Sequence, residues 1–122
     1  MSYSATCHCR ATRITIPRLP EKATACTCTF CTKRGALWGY FRPGEVVIEP
    51  SLDDRVYAPS GVSQHHFCGT CGCTTWSLTP NWNAETDQDG STAHWISVNL
   101  WLLDDVNIRN LPIDLLDGRN AW

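Results

Sequence analysis

No uninterrupted apolar run in this sequence approaches the roughly 20 residues that a membrane-spanning helix requires, so no membrane partner is expected. A basic run is missing as well: Lys and Arg stand singly or in pairs, no acidic tail balances them, and the net charge is −2 with a pI near 6.0. That balance argues against nucleic acid as a partner, since phosphate contacts would need a concentrated positive face. The stretch Met1–Cys7 has no basic segment leading into an apolar one, so no secretory signal is expected, and a soluble cytoplasmic protein is the expectation. Repeats, low-complexity tracts and linkers are also absent, and 122 residues fit one domain spanning 1–122. A domain of this size buries about two-thirds of the surface its unfolded chain exposes, which makes metal or disulfide support valuable.

The chain reads as short strands cut by proline and glycine. Ala11–Ile16 alternates and is rich in β-branched residues up to Pro17. Gly35–Arg42 is aromatic and ends at Pro43-Gly44, and Glu45–Glu49 stops at Pro50. Arg55–Ala58 precedes Pro59-Ser60-Gly61. Gln64–Phe67 and Thr74–Leu78 flank a cysteine group, and His94–Leu100 runs on into Trp101–Leu103. This punctuation predicts an all-β fold of short antiparallel strands, sandwich-like or barrel-like, with little helix beyond one turn after Cys28. The polar, turn-rich stretch 81–93 reads as a long loop of the kind that often carries function.

Against this spare background stand eight cysteines in three groups: Cys7-x-Cys9, Cys26-x-Cys28-x-x-Cys31 and Cys68-x-x-Cys71-x-Cys73. In a reducing compartment, clustered cysteines point to metal rather than to disulfides. A redox Cys-x-x-Cys would need a thioredoxin-like βαβ context, which this sequence lacks. Zinc takes four ligands in structural sites, which usually arrive as close pairs on tight turns, whereas catalytic zinc keeps one position open. The middle group offers three thiolates within six residues and could hold a metal with a fourth position free.

In order, Cys7-His8-Cys9, Cys26-Thr-Cys28-Thr-Phe-Cys31 with Lys33-Arg34-Gly35-Ala36, and Phe67-Cys68-Gly-Thr-Cys71-Gly72 resemble the Gfa family. That family is named after glutathione-dependent formaldehyde-activating enzyme and includes the domain of centromere protein V. Val98-Asn99-Leu100 and Leu116-Asp117-Gly118 extend the likeness over nearly the whole chain. The resemblance implies a zinc-bearing β-tent with two zincs per chain. It implies a closed structural site of Cys7, Cys9, Cys68 and Cys71, and an open site of Cys26, Cys28 and Cys31 where a small thiol such as glutathione binds. The implied chemistry is a carbon–sulfur lyase reaction, or its reverse, the addition of a thiol to a small aldehyde such as formaldehyde.

Other residues read more plainly. Cys73 is expected to be a free, part-buried thiol. His8, on a tight turn between cysteines, should point away from metal. His65 and His66 approach the third group on opposite faces of a strand, so at most one can line a given site, and ordinary strand roles are the simpler reading. His94 has no evident partner. Lys33 and Arg34 read as solvated surface, with the alternative that they offset the charge of a trithiolate zinc. Trp38, Trp76, Trp95 and Trp101 are expected in the core, and Trp82 in the long loop is a candidate lid. An enzyme is the leading reading. A zinc-stabilised protein-binding module and a thiol-based redox or metal-handling protein stand behind it. Nothing in the sequence sets the oligomeric state.

Overall fold

Proline and glycine divide the chain into strands of three to seven residues. In the computed structural model the described residues are 2–80 and 94–121. The elements are β1 (Tyr3–Thr6), β2 (Arg13–Ile16), β3 (Ala23–Cys26), α1 (Thr29–Arg34), β4 (Trp38–Phe41), β5 (Val47–Glu49), β6 (Asp54–Tyr57), β7 (Gln64–Cys68), β8 (Thr74–Pro80), β9 (His94–Asn99), β10 (Ile113–Leu116) and α2 (Gly118–Ala121). The all-β expectation holds. Strands β1, β2 and β5 form a small antiparallel sheet, and a larger one runs β10-β3-β4-β9-β8-β7-β6. One pairing departs from the antiparallel expectation: β10 lies parallel to β3, with Ile113 opposite Ala23 and Leu116 opposite Cys26.

Cross-strand register sorts the large sheet into two chemically different faces. On one face, Phe41, Ile96 and Leu78 align, as do Val98 and Trp76. These residues join Ala5, Ile14 and Ile16 of the small sheet in one apolar core. Phe41 and Ile16 are almost fully buried, and each contributes roughly 1.5–3 kcal/mol by leaving water. The other face carries Tyr40, Ser97, Ser77 and His65 in a row, flanked by Trp38, Thr79 and Trp95. That second face forms the floor of a cavity.

Strand β9 ends at Asn99 rather than continuing into Trp101–Leu103, because the chain turns into a 3-10 helix over Leu100–Leu102. Buried Asn99 makes this turn. Its side-chain oxygen accepts from the Leu37 and Trp101 N–H groups, while its Nδ2 donates to the Thr74 carbonyl at 2.9 Å. Trp101 is consequently displaced from the expected core and is 45% exposed. Trp38 is buried and Trp76 packs against the core as expected, whereas Trp95 faces the cavity. No helix of the described residues is long and apolar enough to cross a membrane.

Candidate metal centres and the adjoining cavity

Two tight turns build the first cluster. The chain reverses after Cys7, with the Arg10 N–H donating to the Cys7 carbonyl at 2.9 Å and Arg10 in the left-handed region. The second turn begins where β7 ends at Cys68. The Gly72 N–H donates to the Cys68 carbonyl at 2.7 Å, and Gly72 takes φ 82°, a conformation glycine adopts without steric cost. These turns bring the sulfurs of Cys7, Cys9, Cys68 and Cys71 within 4.8 Å of one another. Cys9 Sγ lies 3.6 Å from both Cys7 Sγ and Cys68 Sγ. Four sulfurs at about 2.3 Å from one tetrahedral zinc would be about 3.8 Å apart, so the cluster suits that ion.

Electrostatics in this cluster points the same way. A backbone N–H from Ala11 pulls the Cys9 thiol down, but desolvation and the crowding of Cys7, Cys68 and Cys71 push it up to about 12. Burial raises Cys71, yet backbone N–H groups of Cys73 and Cys9 and the neighbouring thiols outweigh it and bring it to about 6. Some thiols in the cluster ionise at the expense of others, and a divalent cation would relieve that conflict. Cys73 lies outside the four, part-buried, its thiol raised chiefly by burial.

The second cluster is local. Cys26 ends β3, Cys28 caps α1 and Cys31 lies within that helix. Their three sulfurs fall within 4.8 Å, and among the described residues no histidine, carboxylate or further cysteine completes the group. Backbone N–H groups of Cys28 and Cys31 point at the sulfurs of Cys26 and Cys28, at 3.5 and 3.4 Å. The Trp38 indole donates to Cys31 Sγ at 3.2 Å. Burial pushes the Cys31 thiol strongly upward against that donor. Burial also acts to raise Cys28, but N–H donors from Cys31 and Phe30 and the adjacent thiols leave it lowered. Gly35, at φ 63°, ends α1 by donating to the Cys31 and Thr32 carbonyls. The expected helical turn after Cys28 is therefore present.

The segment after β10 braces this cluster from behind. Thr27, between two of the cysteines, donates its N–H to the Leu116 carbonyl at 2.9 Å and its hydroxyl to Asp117 at 3.0 Å. Arg119 returns a backbone N–H to the Thr27 hydroxyl and its Nε–H to the Thr27 carbonyl. Leu116-Asp117-Gly118 was visible as a motif, but its contact with Thr27 was not, because parallel pairing across some 90 residues leaves no local signal.

A cavity of about 1090 Å³ opens beside the three thiols. Phe30, Trp38, Tyr40 and Trp95 supply aromatic wall, and His65 and Ser77 lie on the floor. His65 thus has a place beyond that of an ordinary strand residue. Its ring stacks on Phe30 with centroids 3.9 Å apart, and its Nδ1 lies 2.8 Å from Ser77 Oγ. His66 faces the opposite side, stacked on Trp76 and bonded to Asp54 at 2.8 Å. Arg34 lies over Phe30, Tyr57 and Phe67, with ring centroids 5.0 to 5.8 Å away, and with Lys33 lines a smaller cleft behind His65. Both basic side chains belong to exposed residues, as expected of solvated surface. His8 and His94 are exposed too. Trp82 lies outside the described residues, and so does the loop 81–93.

With this geometry in hand, comparison with known proteins adds a fold relative. The crystal structure of a Rhodobacter sphaeroides protein, a structural-genomics target, superimposes with a TM-score of 0.68 at 28% sequence identity. The match covers 91% of this chain and 99% of that one. No protein-family model matches this chain, and no curated protein does. The fold is thus shared over nearly all of a solved relative, while its chemistry must be read from the site.

Proposed function

We propose that this protein joins a small thiol to a small aldehyde, and in reverse cleaves the resulting carbon–sulfur bond, in the manner of S-(hydroxymethyl)glutathione synthase. The observation that carries this reading is the contrast in completeness between the clusters. Four thiols close one site, whereas three thiols beside a large aromatic-walled cavity leave the other short of a ligand. Zinc held by Cys26, Cys28 and Cys31 would lower the pKa of a thiol entering that free position, supplying a sulfur nucleophile at neutral pH.

The chain's own residues supply the rest. The Trp38 indole holds Cys31 in orientation, and Thr27 ties the Cys26–Cys28 turn to the segment after β10. Aromatic walls reduce water around the reacting groups. Burial, together with the Cys31 and Cys26 thiols, raises the Tyr40 phenol to about 12, so it remains a hydrogen-bond donor at neutral pH. Glutathione and formaldehyde are the first substrates to test.

The test is the rate of thiol–formaldehyde adduct formation, followed by proton NMR, with wild type and Cys28→Ser. Acceleration by wild type that drops at least a hundredfold in the variant supports the reading. Equal rates for the two proteins would refute it and favour a zinc-stabilised binding module.

A further inference from the structure

The cavity floor holds one group whose chemistry the metal-ligand reading leaves unused. Register places Tyr57, His65, Ser77, Ser97 and Tyr40 opposite one another across β6, β7, β8, β9 and β4. Residues directly opposed in an antiparallel sheet share a face, so this row is a polar stripe. His65, Ser77, Ser97 and Tyr40 from it border the cavity that Cys26, Cys28 and Cys31 also line. Within the stripe, His65 alone is a base near neutral pH.

Two contacts hold its ring. Ser77 takes Nδ1 at 2.8 Å, and Phe30 stacks on the ring face. Phe30 lies between Cys28 and Cys31 in sequence, so the stack ties the imidazole to the thiol-bearing turn. In the tautomer whose Nδ1–H donates to Ser77 Oγ, Nε2 bears the lone pair. A structural histidine would be expected to spend its ring in the core, as His66 does against Trp76 and Asp54. His65 instead lies on the cavity side of the same strand. The other candidates there are less suited to moving a proton. Tyr40 is held protonated, and Lys22 is paired with Asp114 at 3.4 Å in an exposed ion pair.

We propose that His65 is the general acid–base of this site, Nε2 taking the proton of the incoming thiol and returning it to the aldehyde oxygen. This rests on the thiol–aldehyde reading above. The step balances without an oxidant or reductant. The S–H bond breaks and its proton passes to Nε2. The sulfur pair forms the C–S bond, and the carbonyl π pair moves onto oxygen. Nε2–H then protonates that oxygen, giving the hydroxymethyl thioether and the neutral imidazole again. Ser77 is a positioning residue, acting through the His65 tautomer.

Burial first, then the positive charge of Arg34 and the neighbouring His66, lowers the His65 pKa. The neutral base therefore persists below the ordinary imidazole value of 6.5. Among the described residues, the titratable and charged groups beside the ring are Arg34 and Lys33 on α1, Tyr57 on β6 and His66 on β7, while Cys26, Cys28, Cys31, Tyr40, Lys22, Asp114 and Arg119 line the same cavity. Activity should fall on the acid side along a limb lying below that value.

The experiment measures kcat and KM against pH for zinc-replete wild type, His65→Gln, His65→Gly and Ser77→Ala, with metal content and circular dichroism confirming that each is folded. His65→Gln should lose about a hundredfold in kcat/KM, within the usual range for a general acid–base, together with its acid limb. Added imidazole should restore part of the rate to His65→Gly. Ser77→Ala should keep its KM, lose severalfold in kcat and shift the limb. Independently of catalysis, the His65 Cε1 resonance of wild type should change its titration midpoint when thiol is added without aldehyde. An active wild type whose rate and acid limb survive His65→Gln would overturn the assignment and leave the thiol–aldehyde reading standing. So would a His65 resonance indifferent to thiol. A wild type without any acceleration would defeat that reading, and the role of His65 with it.

Discussion

The two cysteine clusters present the same ligand atom in different settings. The four-thiol cluster joins two turns some 60 residues apart, at the start of the chain and at the end of β7. Two of its cysteines, Cys7 and Cys68, are essentially inaccessible. The three-thiol cluster is contained in six residues, ties no distant segments together through its sulfurs, and borders a cavity. Metal at the first would cross-link the fold, as in structural zinc sites whose binding energy is folding energy. Metal at the second would be held by a turn that is already formed by backbone hydrogen bonds. The difference teaches that sequence separation between ligands, rather than ligand type, decides whether a bound metal would cross-link distant segments.

The sharpest way to break this comparison is to remove one ligand from each cluster. Cys68→Ser should lose one of two zincs and lower the thermal midpoint by roughly 15 °C or more, as read by elemental analysis and a calorimetric melt. Cys28→Ser should also lose one zinc yet melt within about 5 °C of wild type; an equal drop in both variants would erase the distinction. A smaller effect is expected from Trp38→Phe, which removes the indole donor to Cys31 while keeping an aromatic ring. About tenfold weaker zinc retention at the open site, in line with loss of an outer-shell partner, should appear in chelator competition while the closed site holds. The smallest is Asp117→Ala, which frees the exposed Thr27 hydroxyl. Roughly threefold weaker retention at the open site is expected, consistent with one modest hydrogen bond. Weaker retention at the closed site instead would show that the brace acts on the whole fold.

The three cysteine groups were legible because metal-ligand spacing is a local property; the joining of the first group to the third came only from the resemblance to the Gfa family, and the structure gathers those same seven residues into two clusters. Strands rich in β-branched and aromatic residues were legible too, with proline and glycine marking their ends. Three strands were not. Tyr3–Thr6 and Ala23–Cys26 are only four residues long and hold no Val, Ile or Leu to mark an alternating apolar face, and Ile113–Leu116 is exposed throughout and pairs in parallel with a distant partner. His65 and His66 could be assigned to opposite faces from strand periodicity alone. Which face would meet the cavity depended on the pairing of His65 with Ser77 and on the Phe30 stack, both tertiary facts. Trp101 was misplaced because Asn99 ends the strand with side-chain hydrogen bonds that a hydrophobic pattern does not register.

The brace on Thr27 also orders events in time. The four ligands of the closed cluster have all been translated by Cys71, whereas Leu116, Asp117 and Arg119, which hold the turn between Cys26 and Cys28, follow some 45 residues later. A nascent chain can gather its first set of sulfurs while the second still lacks its backing strand. Synthesis therefore presents the long-range set of sulfurs complete before it presents the segment that braces the local set.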